Sequence, residues 1–309
     1  MIYTLTLNPA LDYHIKLSNF QEDALNVALS GQFYSGGKGI NVSKVLNNLK
    51  IQNIAIGILG GFSGLQVKKD LEKQNITTNF IEVSNFTRIN VKLHNLKSDK
   101  ETEINGPPVC VSDKEKQQLL DLISSKITNE DILVCSGSVP YGLPSNIYKI
   151  ISESLPNGTK VVLDTRAEAL IDNLHSNLLI KPNIKELEGA FNKKLTSTEE
   201  IIAAANFFLK KGVENIIVSL GKEGSVLITK DIILKAEPLV VKVNNSVGAG
   251  DSMVAGFLAG YIKNLDLESC YRLSIASALA TVTSSDIAIK SSIEEFYNQV
   301  KIIKVKKDI

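Results

Sequence analysis

Residues suited to metal or redox chemistry are scarce in this chain. The three cysteines of its 309 residues, Cys110, Cys135 and Cys270, are scattered, odd in number and without metal-ligand spacing. A disulfide framework or zinc site is therefore excluded, and buried free thiols are expected. The histidines, His14, His94 and His175, have no partner spacing and receive no role. Charge of one sign is also missing: 34 Lys and Arg against 33 Asp and Glu leave a net charge of +1. Such a balance offers no field to draw in nucleic acid or a membrane surface, which leaves a small molecule as the expected partner. No apolar run is long enough to span a bilayer, and the opening MIYTLTLNPALD lacks the basic flank and long apolar core of a signal peptide. A cytoplasmic protein is expected. Internal repeats and low-complexity linkers are absent, so one domain spanning residues 1–309 is expected rather than two.

The chain does hold a series of short apolar runs: IYTLTL at the start, NIAIGIL from Asn53, DILVC from Asp131, KVVLD from Lys160, LLIK from Leu178 and NIIVSL from Asn215. They are continuous rather than alternating, the pattern of strands covered on both faces. Helical patterns lie between them. Val42, Val45, Leu46 and Leu49 share one face, and Ser197 with Glu200 in STEEIIAAANFF has the spacing of a capping box. This alternation predicts an α/β fold with a doubly wound, mainly parallel sheet flanked by helices. NVALSGQFY from Asn26, RINVKLHN from Arg88 and ETEI from Glu101 break the rhythm and read as half-exposed strands. They predict a small sheet standing off the main body, formed by about residues 10–36 and 87–108, that acts as a lid.

SVGAGDSMVAGF, from Ser246 to Phe257, places one carboxylate between small residues and an uncharged run of helical length. A helix so apolar is buried nearly all round, and so is its first turn. Gly248, Ala249 and Gly250 let backbone N–H groups approach an anion closely. Asp251 then serves either as a plain helix cap, worth roughly 1 kcal/mol, or as the carboxylate that accepts a hydroxyl proton during phosphoryl transfer. Capping alone does not require GAG, which favours transfer. Other glycine clusters fail as nucleotide motifs. In SGGKGINVSKVL, Gly37 stands where a P-loop requires lysine, and the glycines of GILGGFSG (Gly57, Gly60, Gly61 and Gly64) do not match a dinucleotide fingerprint.

GGKGINVS, KPNIKEL and SVGAGDSMVAGF, occurring in that order, resemble the ribokinase-like carbohydrate kinases in their phosphofructokinase B branch. The resemblance runs from TLNPALD at Leu5 to at least the helix after Asp251 and includes TRINVKL, ETEING, SGSVP and VSLGKEGS. It implies a ribokinase-like fold with a β-sheet lid that often also forms a dimer contact. It implies ATP and Mg²⁺, and phosphorylation of a sugar phosphate, here C6 of fructose 1-phosphate. Tagatose 6-phosphate or fructose 6-phosphate is the alternative substrate, and a regulator that binds sugar phosphate or nucleotide without catalysis is the alternative of another class.

The resemblance also implies roles. Asp251 would be the base, with Gly248, Ala249 and Gly250 holding charge on the transferred group. An acid at a helix start is expected to remain ionised. Asp12 would bind sugar hydroxyls, and Gly36, Gly37 and Asn41 would let the sugar lie against backbone. Lys38 and Arg88 would meet the substrate's own phosphate, with Asn90, and less firmly Lys92, beside them on the lid. Asn183 and Glu186 would serve Mg²⁺ and phosphate through water, unless they only cap a helix. Ser219, Gly221 and Gly224 would line the ATP pocket, unless they only form a hairpin turn. Three departures concern the substrate more than the chemistry: Asn245 and Ser246 replace the acid and Thr that precede GAGD in the broader family, no basic residue stands beside Asn26, and Pro108 replaces a Gly-rich turn.

Overall fold

The computed structural model describes residues 1–244 and 246–305; Asn245 lies outside the described residues. The chain begins with β1 (Ile2–Thr6), β2 (Ala10–Leu17), β3 (Ser30–Gly36), α1 (Lys38–Asn48), β4 (Asn53–Leu59), α2 (Gly61–Lys73) and β5 (Thr77–Glu82). It continues through β6 (Arg88–Asn95), β7 (Lys100–Ile104), α3 (Asp113–Lys126), β8 (Ile132–Ser136), α4 (Ile147–Ser154), β9 (Lys160–Asp164) and α5 (Ala167–Leu170). Then come β10 (Asn177–Ile180), α6 (Ile184–Phe191), α7 (Thr198–Lys210), β11 (Asn215–Ser219), β12 (Ser225–Thr229) and β13 (Ile233–Ala236). The last elements are α8 (Ala249–Ile262), α9 (Leu267–Val282), α10 (Lys290–Tyr297) and β14 (Ile302–Lys304).

The large sheet has the order β14-β13-β12-β11-β10-β9-β8-β1-β4-β5. Strands β5 to β11 in that order are parallel, and β12, β13 and β14 continue antiparallel at one edge. Successive residues of a strand face opposite sides, and here both sides are buried. In β8, Leu133 and Cys135 pack toward α3, α4 and α7, while Ile132 and Val134 pack toward α1, α8 and α9. Both faces need apolar side chains, which is why the runs are continuous. Helix α8 lies against α1, α9 and the sheet, and every residue from Asp251 to Gly260 is buried.

A second sheet, β3-β2-β6-β7, covers the carboxyl ends of the parallel strands. Its β2 runs parallel to β6, with Asp12 in register with Asn90. The expected strands at Arg88 and Glu101 are present. The strand expected from Asn26 begins instead at Ser30, because the Asn26 side chain bonds the backbone of Gln21 and Ala24 and holds a turn. The proposed capping box of α7 is half formed. Ser197 accepts from the Glu200 N–H, but the Glu200 carboxylate reaches Thr196 instead of the Ser197 backbone. Of the thiols, Cys135 and Cys270 are buried as expected, whereas Cys110 is exposed in a loop. No helix of the described residues is long and apolar enough to cross a membrane.

Candidate active site

Helix α8 starts at Gly248 (φ +81°) with no side chain capping it. Asp251, in its first turn, is only 6% exposed and accepts a hydrogen bond from Asn41 Nδ2 at 2.8 Å. The reading of Asp251 as a plain cap is therefore overturned: its carboxylate turns toward α1 and leaves the first N–H groups free of side chains. Gly250 is crowded by a cation. A Cβ there would stand 2.9 Å from Lys181 Nζ, so any larger residue would displace that ammonium.

Lys181 follows β10 and is buried, and its Nζ lies 3.6 Å from Asp164 at the end of β9. Lys38, opening α1, approaches the same carboxylate at 3.0 Å and Glu186 at 3.8 Å. Asp164 is almost wholly buried, and its Oδ2 has no hydrogen-bond partner. Burial alone would raise the Asp164 pKa, but Lys181 and Lys38 hold it below the usual carboxylate range. Burial likewise opposes the charge on Lys38, yet Asp164, Asp251 and Glu186 keep its pKa above that of an ordinary lysine. Asp251 moves the other way. Burial, and then the Asp164 charge, push it up to about 6 against the pull of Lys38, Asn41 and Lys181. The acid at this helix start is thus less strongly ionised than an ordinary aspartate, with burial as the largest cause, and it is still mostly charged at neutral pH.

Opposite this cluster, the small sheet supplies a second polar wall. Asn90 Nδ2 donates to Asp12 Oδ1 at 2.7 Å, and Lys92 pairs with Asp12 Oδ2 at 3.6 Å and with Glu103 at 3.9 Å. Arg88 donates to the Pro9 and Asn8 carbonyls at 3.4 and 3.3 Å. A cavity of about 420 Å³ lies between the walls, lined by Asp12, Gly37, Lys38, Asn41, Arg88, Asn90 and Lys92 on one side and by Asn183, Glu186, Ser219, Gly248, Gly250 and Asp251 on the other. Such a volume suits a small ligand, and its place outside the carboxyl ends of parallel strands is where open α/β sheets hold ligands.

Some expected residues are placed differently. Gly36 faces a smaller neighbouring cavity beside Asp12 and Asn41. Ala249 lies in the first turn of α8 and, like Gly221 and Gly224, does not line the main cavity. Gly221 and Gly224 bracket the turn between β11 and β12. Gly224 has φ +89° and stands where a Cβ would meet the Ala236 carbonyl at 2.3 Å, which accounts for glycine without a ligand. Lys38 is not a free cation but is bound to Asp164. Asn183 and Glu186 do form a capping box, with bonds of 2.8 and 2.9 Å, and both still line the cavity.

Sequence reasoning missed Asp164 and Lys181. Their signal was present: each is a charged residue directly ending an apolar run, KVVLD and LLIK. A charge at the carboxyl end of a buried parallel strand is costly unless partnered, and here each partners the other.

The pattern that defines the pfkB family carbohydrate kinases matches residues 5–293, nearly the whole of the domain described above. This chain belongs to that family. A relative of this kinase, the 1-phosphofructokinase of Borreliella burgdorferi, is 39% identical over 306 residues, 98% of each chain. The D-tagatose-1-phosphate kinase of Bacillus licheniformis is 33% identical over 305 residues, covering 98% of this kinase and 99% of the relative. Among solved structures, phosphofructokinase-2 of Escherichia coli in complex with substrates and products superposes with a TM-score of 0.89 at 27% identity, covering 96% of this kinase and 98% of that chain. The doubly wound fold and the carbohydrate-kinase activity expected from the sequence are thus those of its family.

Proposed function

We propose that this kinase transfers the terminal phosphoryl group of ATP to the C6 hydroxyl of fructose 1-phosphate, giving fructose 1,6-bisphosphate. The observation that carries this reading is the inward-facing Asp251, held by Asn41 beside an uncapped helix start and across a cavity from Arg88. Asp251 accepts the C6 hydroxyl proton as the oxygen bonds to phosphorus, and the bond from phosphorus to the ADP oxygen breaks with its electron pair leaving on ADP. The N–H groups of Gly248, Ala249 and Gly250, with Lys181 beside them, offset negative charge on the group in transit. Asp12 and Asn90 bind sugar hydroxyls, and Arg88 binds the substrate's own phosphate. Ser219 lies on the nucleotide side of the cavity.

Mg²⁺ fits the residues present. Glu186 Oε2 is committed to the helix cap, but Oε1 is left toward the cavity beside Lys38. Among the described residues no group of three or more Asp, Glu, His or Cys side chains could hold a metal. That arrangement suits an ion carried by nucleotide phosphates and its own waters, with Asn183 and Glu186 as the residues that would hold it through water. When bound it would neutralise phosphate charge. A homodimer through the small sheet is part of the same reading, supported by the exposed apolar side chains of Val27, Leu29, Phe33 and Ile104 at or beside its strands.

D-tagatose 1-phosphate is the second reading, favoured by the named activity of the Bacillus licheniformis relative. Comparing kcat/KM with Mg·ATP for fructose 1-phosphate, tagatose 1-phosphate, fructose 6-phosphate, tagatose 6-phosphate and fructose tests both. The proposal expects fructose 1-phosphate to lead; a 6-phosphate in first place would overturn it.

A further inference from the structure

Helix α1 carries polar side chains at intervals of three, Lys38, Asn41 and Lys44, and each bonds a different part of the molecule. Lys38 reaches Asp164 at the end of β9, and Asn41 reaches Asp251 at the start of α8. Both serve the transfer end of the cavity. Lys44 turns to the small sheet instead, where its Nζ donates to the Ser35 carbonyl on β3 at 2.7 Å. It does not line the cavity, and phosphoryl transfer gives it no part.

Lys44 is 4% exposed, and burial lowers its pKa against weaker pulls from Asp286, Asp70 and Asp12. A buried ammonium bonded to one backbone oxygen is costly, and an apolar side chain of similar volume would fill the space without that cost. What the ammonium adds is a fixed point for β3. That strand is an edge of the small sheet, exposed from Ser30 to Phe33 and buried only at Ser35 and Gly36. Ser35 is anchored twice, because its hydroxyl also donates to Asp70 Oδ2 on α2 at 2.8 Å. The residues on either side of it, Tyr34 and Gly36, are in register with Asp12 and Ala10 on β2. Gly36 lies so near Asp12 that a Cβ there would stand 2.7 Å from Asp12 Oδ2. A shift of the β3 end is therefore a shift against the Asp12 carboxylate, which lines the cavity.

We propose that Lys44 is a positioning residue: through the Ser35 carbonyl it pins the end of β3 against α1 and so sets where Asp12 meets the sugar. This rests on the reading that Asp12 binds sugar hydroxyls. Helix α1 then fixes both sides of the cavity, the base through Asn41 and the sugar-binding carboxylate through Lys44. Transfer tolerates little error in the distance between those two groups, and one helix of 11 residues keeps that distance constant.

Steady-state kinetics of full-length Lys44→Met and Lys44→Arg test this. Lys44→Met keeps the apolar stem and removes the donor. The KM for fructose 1-phosphate should rise about tenfold, the range for losing a hydrogen bond from a charged group, with the ATP KM within about twofold. Lys44→Arg keeps a cationic donor and should recover part of the loss. In an Asp12→Ala background, Lys44→Met should change the sugar-phosphate kcat/KM by less than about twofold, because an effect routed through Asp12 is lost with it. Equal rises in both KM values, or full additivity with Asp12→Ala, would overturn the role. If Lys44→Met does not fold, Lys44→Gln takes its place: the same selective rise is expected, and an unchanged sugar-phosphate KM overturns the role. A wild-type protein that turns over no sugar phosphate removes the substrate reading alone, because hydrogen exchange still decides about Lys44. Amides of residues 34–37 should exchange faster in Lys44→Met than in wild type, with those of β8 and β9 unchanged; uniform acceleration, or none, overturns the anchor.

Discussion

Asn41 on α1 donates its side-chain N–H to Asp251 on α8 at 2.8 Å, joining residues 210 positions apart across the site. The bond fixes the direction of the carboxylate and favours its charged form, while burial and Asp164 oppose that charge. Balanced in this way, Asp251 titrates near 6, so it is mostly ionised at neutral pH yet basic enough to take a proton.

The pH profile follows from that balance. Only ionised Asp251 can accept a proton, so kcat/KM should be level near neutrality and fall about tenfold per pH unit below about 6. Asn41→Leu removes a group that favours the charge, and the acidic limb should move to higher pH. A limb left in place would show that Asn41 does not tune the base.

Lys181 stands against Gly250 at the start of α8. Lys181→Met should lower kcat by roughly 10²-fold, the scale for losing one donor to developing charge, with the sugar-phosphate KM within a few-fold. A rise in KM alone would place Lys181 in ground-state binding instead.

Arg88→Ala should raise the KM for sugar phosphate more than the KM for ATP, because Arg88 belongs to the small-sheet wall. Equal effects on both would count against contact with the substrate's phosphate.

Stability offers an independent check away from the site. Burial would raise the Glu115 pKa, but hydrogen bonds from Ser112 and Ser84 lower it to about 2. A depressed acid stabilises the fold above its unfolded pKa, near 4.5, and loses that contribution as pH falls toward 2. Glu115→Gln should therefore lower Tm at pH 7, and the gap to wild type should narrow between pH 4.5 and the acid limit. A gap constant with pH would assign the loss to packing.

Much of this molecule was legible in its sequence. The parallel strands announced themselves because helices bury both their faces, which forces continuous apolar runs such as NIAIGIL and NIIVSL. Asp251, Asn41, Asp12 and Arg88 were found because their motifs couple an unusual residue to an unusual local shape, and the fold brings all four to one cavity. β5 was missed because its TTNFIE is half-exposed at the sheet edge, where no apolar run is required. The upward shift of the Asp251 pKa was not legible for a different reason: beyond burial, it comes from Asp164, 87 positions away in sequence, whose field is visible only when β9 and α8 are placed in space. Asp164 and Lys181 escaped notice because each looks like an ordinary end of a strand until the other is beside it.

Asp251→Asn is the most direct test of the account. Above both its pKa values the buried charge costs folding free energy, because the folded state binds that proton more tightly than the unfolded chain; the amide removes the cost, and Tm at pH 7 should rise or hold. Calorimetry should show Mg·ATP binding retained, and the single-turnover rate with fructose 1-phosphate should fall by roughly 10²-fold or more. A variant that is folded, binds ATP and turns over at near wild-type rate would contradict the assignment of Asp251 as the base.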